Sequence, residues 1–464
     1  MKRLLAVCIV IIGFVFTLTV SANQNATKLE CKSELDSDKL YKVVSIHDNK
    51  YTTYLNVYPG ETLRIYSDNP QYLYIKFYSA APGEYNITLK RSDDTDFLQT
   101  VCIDNNSFLH QLQELEHEAD IIEITSNERI RICELELYSK GTLSKDVQNW
   151  ENSLAASDIL VIAAHSDDDT LFFGPLIAEN IAKGRLVQTV FISDHPLEEH
   201  RINELLDGQW TLGITSYPII GNFEDHYSTL LKTAESQYDC DEMKKFIVES
   251  IRKAQPLVLV THDLNGEYGH GLHKLVSKLT CEAIELSSDE TVYPDSAKEF
   301  GTFAPQKTYL HLYEENEIVL DVDTSYDILD KKTPFETAKD AYDCHKSQHK
   351  WDLKLTKEGT NDCTRFGLYK STVEYNSEST DIMNGVAYTL PGILSTSTMP
   401  QAQAMLENKP ENMFVAKDIN TVGSPNKLFD MKTTAPPKTI AVCAFIVFLF
   451  IVFIAAEFIK RVRR

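Results

Sequence analysis

No CxxC pair and no Cys–His zinc-finger spacing occurs in the 464 residues, and no internal repeat is present. A structural zinc knuckle needs such spacing and is excluded. Positive charge is also scarce: 45 Lys and Arg stand against 68 Asp and Glu, a formal net charge of -23. A nucleic-acid binder needs a basic face, so that class is set aside. Apolar material is not lacking. Hydrophobic residues make up 43% and aromatics 10%, enough for a large core and for two or three domains.

Two long apolar runs frame the chain. Residues 1–22 begin with Lys2 and Arg3, continue apolar and end in Val20-Ser21-Ala22, the pattern of a cleaved secretory signal peptide; a retained N-terminal anchor is the rival reading. Ile440 to Ala456 carries 17 residues without a charge. At ~1.5 Å per residue it reaches roughly 26 Å, close to a bilayer core once Phe458 and Ile459 are added. A transmembrane helix over 439–459 is expected. The basic tail 460–464 matches a cytosolic flank. The chain therefore reads as a single-pass type I membrane protein of the secretory pathway or cell surface, its bulk outside the cytosol. Seven cysteines lie between the two runs. Disulfides are expected in that compartment, and the odd number leaves at least one thiol over. N-x-[ST] triplets start at Asn25, Asn86 and Asn105 and lend weak support.

Residues 23–150 carry short β-branched and aromatic runs, among them LYKVVSI, YLYIKFY, YNITLKR, IIEITS and IRICELELY. Turn clusters separate them, which predicts an antiparallel β-sandwich-like domain. ERIRICELELYSKG faintly resembles the last strands of galactose-binding-like sandwiches. From residue 151 to 391 the pattern changes. DILVIAAH, VQTVFIS and PLVLVTH read as strands buried on both faces. TLFFGPLIAENIAKG, PLEEHRINELLDGQWTLG and DEMKKFIVESIRKAQ read as helices between them, the first stopping at Gly184. Strands alternating with helices predict an α/β domain with a Rossmann-like, mostly parallel sheet. Residues 392–438 read as a polar stalk.

In parallel sheets ligands bind beyond the carboxyl ends of strands, and two clusters fall there. Ala164-His165-Ser166-Asp167-Asp168-Asp169 ends the first buried strand. One Asp would serve as a helix N-cap; three beside a histidine repel one another unless a cation sits among them. Thr261 to His273, THDLNGEYGHGLH, ends another strand. His270 and His273 share one face if a helix starts there. With His165 and a carboxylate they offer donors enough for three ligands and an open position, the pattern of a catalytic zinc.

AHSDDDTLFFG and THDLNGEYGHGLH resemble the two motifs of the PIG-L/LmbE-like deacetylases, AHPDDE and THDPNG-x-YGHPDH. Arg201, Glu204 and Gly213 fit that family's R-x-x-E followed by leucine-glycine, and Ser347-Gln348 fits its SQ signature. The resemblance covers about residues 157–370. It implies a Zn2+ held by His165, Asp168 and His273, with Asp167 as general base. It further implies Tyr268 at the oxyanion, His270 as acid or electrostatic stabiliser, and Arg201 in contact with substrate. The substrate implied is an N-acetylglucosamine-type sugar, glycan or glycolipid, here on the lumenal or extracellular side. Ser166, Asp169, Gly271 and Leu272 depart from the family pattern. Leu272 removes the Asp that normally supports the acid histidine, a place that Glu267 could take in space. The competing reading is a surface carbohydrate-binding protein whose catalytic fold has drifted.

Overall fold

The computed structural model describes residues 25–36, 43–78, 83–92, 97–103, 108–376, 378–387, 389–390 and 393–394. The segments read as signal peptide, transmembrane helix and cytosolic tail, nearly all of the stalk, and Asn105, lie outside the described residues. Among the described residues no helix is long and apolar enough to cross a membrane. The chain divides into two units, Met1–Ser397 and Thr398–Arg464; every element below belongs to the first.

The named strands of the N-terminal part all pair antiparallel. Its strands are β1 (Lys32–Leu35), β2 (Leu55–Val57), β3 (Leu63–Tyr66), β4 (Tyr72–Phe77), β5 (Tyr85–Lys90), β6 (Phe97–Ile103), β7 (His110–Glu114), β8 (Ile121–Ser126) and β9 (Ile130–Tyr138). They form two sheets, in the orders β1-β3-β8-β5-β6 and β2-β9-β4-β7. Alternate residues of β3, β5 and β8 point inward, as a strand with one wet face requires. Leu63, Ile87 and Ile124 share a core with Ile75, Phe77 and Ile132 of the facing sheet. This is the expected sandwich. One expected strand differs: in LYKVVSI, Val44–Ile46 forms a single 3-10 turn. Ile46 enters the core while Val44 is exposed, so one turn achieves the burial. Asn25 is exposed, whereas Asn86 is half-buried within β5.

The second part supplies β10 (Ile159–Ala163), α1 (Asp168–Leu171), α2 (Gly174–Ala182), β11 (Val187–Ser193), α3 (His200–Leu212), β12 (Ile219–Phe223), α4 (Leu231–Gln237), α5 (Cys240–Ala254), β13 (Val258–Thr261), α6 (Gly271–Leu286), α7 (Pro294–Phe300), β14 (Lys307–His311), β15 (Glu317–Val319), α8 (Pro334–Tyr342) and β16 (Arg365–Ser371). The sheet runs β12-β11-β10-β13-β14-β16-β15. Its first five strands pair in parallel and its last two antiparallel. The chain moves outward from β10 to β12, then returns to place β13 beside β10. That reversal is a topological switch point, and it opens a crevice beyond the carboxyl ends of β10 and β13. Where one helix was expected after β10, two occur. Gly174 begins the second, and a Cβ there would lie 2.7 Å from the Ala338 Cβ of α8. Close packing of α8 thus requires a glycine at this break.

The sandwich grips α3. Asp207 accepts hydrogen bonds from Tyr51 Oη (2.5 Å) and Gln148 Nε2 (2.6 Å) and pairs with Lys76 (3.3 Å). His110 Nε2 meets Asn203 Oδ1 at 2.9 Å. Burial works against charge on Asp207, but Lys76 and His110 outweigh it and hold the carboxyl below its usual range. The unfolded chain then binds the proton first as pH falls. The stability Asp207 contributes is therefore present above ~3.9 and lost as pH drops below it. Asp207→Ala should cost about 1–3 kcal/mol at neutral pH, because the half-buried Lys76 ammonium loses its carboxylate and keeps only Tyr51 Oη (2.6 Å), while Gln148 Nε2 loses an acceptor. Denaturant unfolding of both proteins should show the gap closing in acid; a gap independent of pH would remove the charge from the explanation.

The cysteines Cys31, Cys133, Cys240, Cys281, Cys344 and Cys363 are all free. Among the described residues the disulfides expected from the sequence do not form. Cys133 and Cys363 are instead buried as small apolar side chains, and burial pushes the Cys133 thiol up, and the Cys363 thiol to about 12.

Candidate active site

Both sequence clusters meet in the crevice between β10 and β13. Beyond β10 the chain turns through Ala164–Asp167 into α1. Beyond β13 it makes a tight loop before α6. Gly266 and Gly269 take positive φ (68° and 78°), and Tyr268 between them is held at φ 43°. A Cβ on Gly266 would lie 2.5 Å from His270 O. A non-glycine residue in that region costs about 1–2 kcal/mol. The strained turn aims Glu267 inward, where it is 1% exposed, and Tyr268 outward, where it is 43% exposed.

His165, Asp168 and His273 come together. His165 Nδ1 lies 3.1 Å from both Asp168 Oδ2 and His273 Nε2, and His273 Nε2 lies 3.3 Å from Asp168 Oδ1. A tetrahedral ion with bonds of ~2.0–2.1 Å sets its ligand atoms about 3.3 Å apart. The surrounding hydrogen bonds fix which nitrogens face the centre. His165 Nε2 donates to Asp225 Oδ1 (3.1 Å), leaving Nδ1 as a lone pair. His273 Nδ1 donates to Glu267 Oε2 (2.7 Å), leaving Nε2 as a lone pair. Two imidazole lone pairs and a carboxylate converging in this way fit a divalent cation. Burial opposes charge on His165, yet Asp225 and Asp168 hold its pKa up at about 10, so without a cation Nδ1 carries a proton too, and metal binding would displace it. Despite its burial, Asp168 is held well below the carboxylate range by His273 and His165. The acidic surroundings thus call for positive charge at this point, which a bound cation also supplies.

The three consecutive acids part company. Asp168 faces the histidines. Asp167 accepts from Arg201 Nη2 at 2.8 Å, and burial raises its pKa against the opposing pull of Arg201. Asp169 is fully buried beneath α3 and accepts from Gln209; burial raises it well above the usual range. Divergent partners therefore relieve part of the repulsion that the sequence suggested. Arg201 also donates to His195 Nδ1 (3.1 Å), so its guanidinium is engaged on both sides, though it still lines the cavity. Glu204, one turn on, accepts from Ser347 N (3.0 Å) and Ser347 Oγ (2.6 Å). R-x-x-E and SQ are thereby joined in space.

His270 caps α6: its Nδ1 accepts from Leu272 N at 3.2 Å. A ring that accepts there and is neutral carries its proton on Nε2. Burial, with His165 and His273 nearby, pushes its pKa down to about 3. Leu272 itself is fully buried in the core between β10, α5 and α6, and does not face the crevice. Glu267 does not take the place of the missing Asp either, because its oxygens serve other rings. Oε2 accepts from His262 Nδ1 (2.8 Å) and His273 Nδ1; Oε1 accepts from His311 Nδ1 (2.7 Å) and Asp263 N (3.1 Å). Burial opposes its charge, but His262 and the other imidazole donors hold it well below the carboxylate range. Sequence reasoning gave no role to His262, His311, His195 or Asp225, and it gave Glu267 a different one. His262 and Glu267 stand inside THDLNGEYGHGLH, where the later histidines drew most notice.

Above this floor is a cavity of about 570 Å³, lined by His165, Asp167, Arg201, Asp225, Tyr268 and His270 together with residues of the rim. Its size falls within the ~300–1,000 Å³ of a small-molecule site.

Residues 160–284 match the PIG-L family model, described as GlcNAc-PI de-N-acetylase. The α/β part of this chain is thus similar to the PIG-L/LmbE-like family over those residues. Its similar proteins include the 1D-myo-inositol 2-acetamido-2-deoxy-alpha-D-glucopyranoside deacetylases of two bacteria. That of Thermobispora bispora is 29% identical over 163 residues, covering 29% of this chain and 54% of that protein. That of Salinispora arenicola is 29% identical over 175 residues, covering 32% and 56%. The chain spans about half the length of these curated relatives. The solved N,N'-diacetylchitobiose deacetylase from Pyrococcus horikoshii is 20% identical, with a TM-score of 0.34 over 43% of this chain and 72% of its own.

Proposed function

We propose that this domain removes the acetyl group from an N-acetylglucosamine-type amino sugar, using one Zn2+ held by His165, Asp168 and His273. The observation that carries the reading is the convergence of His165 Nδ1, His273 Nε2 and the Asp168 carboxylate within 3.1–3.3 Å, beneath a cavity that Asp167 and His270 also line. When bound, zinc lowers the pKa of a coordinated water to ~7 and polarises a carbonyl. Asp167 takes the proton of the attacking water and returns it later in the cycle; its carboxylate is oriented by Arg201, and its raised pKa suits a group that must do both. His270, neutral with its proton on Nε2, donates to the developing oxyanion or to the leaving amine rather than acting as a standing cation. Tyr268, at the mouth, adds a second donor. Arg201 and Asp225 present polar groups to the sugar. The family resemblance and the amino-sugar relatives support the substrate class. We further propose that catalysis occurs on the lumenal or extracellular side of a membrane to which residues 439–459 anchor the chain. This rests on residues 1–22 and on the basic tail.

The test is acetate release from N-acetylglucosamine glycans by purified full-length protein, with the metal content measured on the same sample. Activity should vanish on chelation and return with stoichiometric zinc. Zinc-loaded protein that binds the glycans but releases no acetate would favour the drifted carbohydrate-binding protein instead.

A further inference from the structure

Five aromatic side chains are exposed among the described residues: Tyr58, Tyr227, Tyr268, Trp351 and Tyr369. Three of them, Tyr227, Tyr268 and Trp351, line the one cavity over the histidine cluster. Exposed apolar residues scattered singly need no explanation, but a concentration of large rings at a polar crevice does. The three sit at different depths. The Tyr227 ring lies 5.2 Å from that of His270, and the Tyr268 ring lies 5.7 Å from His270 and 5.3 Å from His273. These two flank the reaction centre. Trp351 makes no such ring contact and stands 63% exposed at the rim.

The backbone that carries Trp351 is nevertheless anchored. Its N–H donates to Gln348 O (3.0 Å), within the turn His349–Trp351. Neighbouring Ser347 is tied to Glu204 on α3. Lys350 Nζ lies 5.2 Å from the Trp351 ring centre and 3.3 Å from Glu198, which in turn approaches Arg201 at 3.7 Å. A large, mostly exposed flat surface thus rises from an anchored turn on the same cavity that Arg201 and its partner Asp167 line. The cavity lining beside it comprises Gln348, Lys350 and Glu198, with Leu353 as the one aliphatic side chain. An alkyl chain would strip water from these charges without pairing them. A sugar ring presents hydroxyls to them at its edge and C–H groups to the indole on its face, the amphipathic match an aromatic side chain offers.

We infer that Trp351 builds a second sugar subsite, stacking on the ring next to the one that is deacetylated, so that the substrate is an oligosaccharide rather than a single sugar. This rests on the deacetylase reading above. The test compares acetate release from N-acetylglucosamine and from its β-1,4-linked trimer by full-length wild type, Trp351→Ala and Trp351→Phe. Trp351→Ala should raise KM for the trimer roughly tenfold, as loss of one stacked aromatic contact does, with kcat and the monomer kinetics unchanged and Phe restoring most of the loss. Equal losses on monomer and trimer, no loss on either, or an equal Trp351 effect with an alkyl N-acetylglucosaminide would overturn the subsite. If no sugar releases acetate, the deacetylase reading fails separately, and fluorescence then decides the subsite. Of the three tryptophans, Trp150 is buried and packs on half-buried Trp210 at 5.3 Å. A fluorescence change on adding the trimer to Asp167→Asn protein, absent when Trp351 is also Phe, supports stacking; no change refutes it.

Discussion

Asp168→Ala is expected to lose bound zinc and activity together, whereas Asp167→Asn should keep the zinc and slow turnover by about 10²–10⁴, the usual worth of a general base. The two neighbours differ because their partners differ. Asp168 places one oxygen 3.1 Å from His165 Nδ1 and the other 3.3 Å from His273 Nε2; removing it leaves two imidazoles and an incomplete set. Asp167 faces Arg201, and Asn preserves its size while abolishing its ability to take a proton. The Asn variant also places an amide against the guanidinium, so part of the loss will be orientation. Metal content measured beside kcat separates the two residues. Stoichiometric zinc in the Asp168→Ala protein would overturn the ligand assignment, and full activity in Asp167→Asn would overturn the base.

The parallel core was legible in the sequence because DILVIAAH, VQTVFIS and PLVLVTH are continuous apolar runs, and such runs survive only where both faces of a strand are covered. All three become strands of one sheet, and the residues just past them meet at its switch point. That His165, His270 and His273 lie close together was legible from their place after the strands; singling out Asp168 among the three acids came from the family resemblance. What the sequence did not reveal is set by contacts between distant segments. Asp225 reaches His165 across 60 residues, and Asp207 meets Lys76 across 131; no local period encodes either pairing. The fate of Leu272 was missed for a related reason. Its neighbours in the chain point to the crevice, but the helix that starts at Gly271 turns its side chain into the core. A carboxylate introduced there would be buried among leucines and would unfold α6 before it could tune His270.

Glu267→Gln is expected to weaken zinc binding by about 10–100-fold, the usual effect of losing a carboxylate that orients a metal-ligating histidine. The argument is a donor count. Glu267 receives three imidazole N–H groups and one backbone N–H, with no other donor competing, and is fully enclosed. Gln keeps one oxygen and turns an NH2 group toward two of those donors. If the amide faces His262 and His273, either ring must give up its Nδ1 proton to accept from it. His262 resists, because its Nε2 already accepts from Ala164 N at 2.9 Å and has no room for a proton. His273 would then move its proton to Nε2, the atom that faces His165 and Asp168, and cease to be a ligand. If the amide faces His311 and Asp263 instead, two buried donors lose their acceptor, at about 1–3 kcal/mol each. Both orientations lower stability, but only the first blocks the metal position. Zinc titration and thermal unfolding of the variant, each with and without zinc, distinguish them. Zinc should raise the melting temperature of the wild type more than that of the variant, since a ligand stabilises in proportion to its occupancy of the folded state. An unchanged zinc affinity together with lower stability would mean that Glu267 supports the fold of the loop without setting the tautomer of His273.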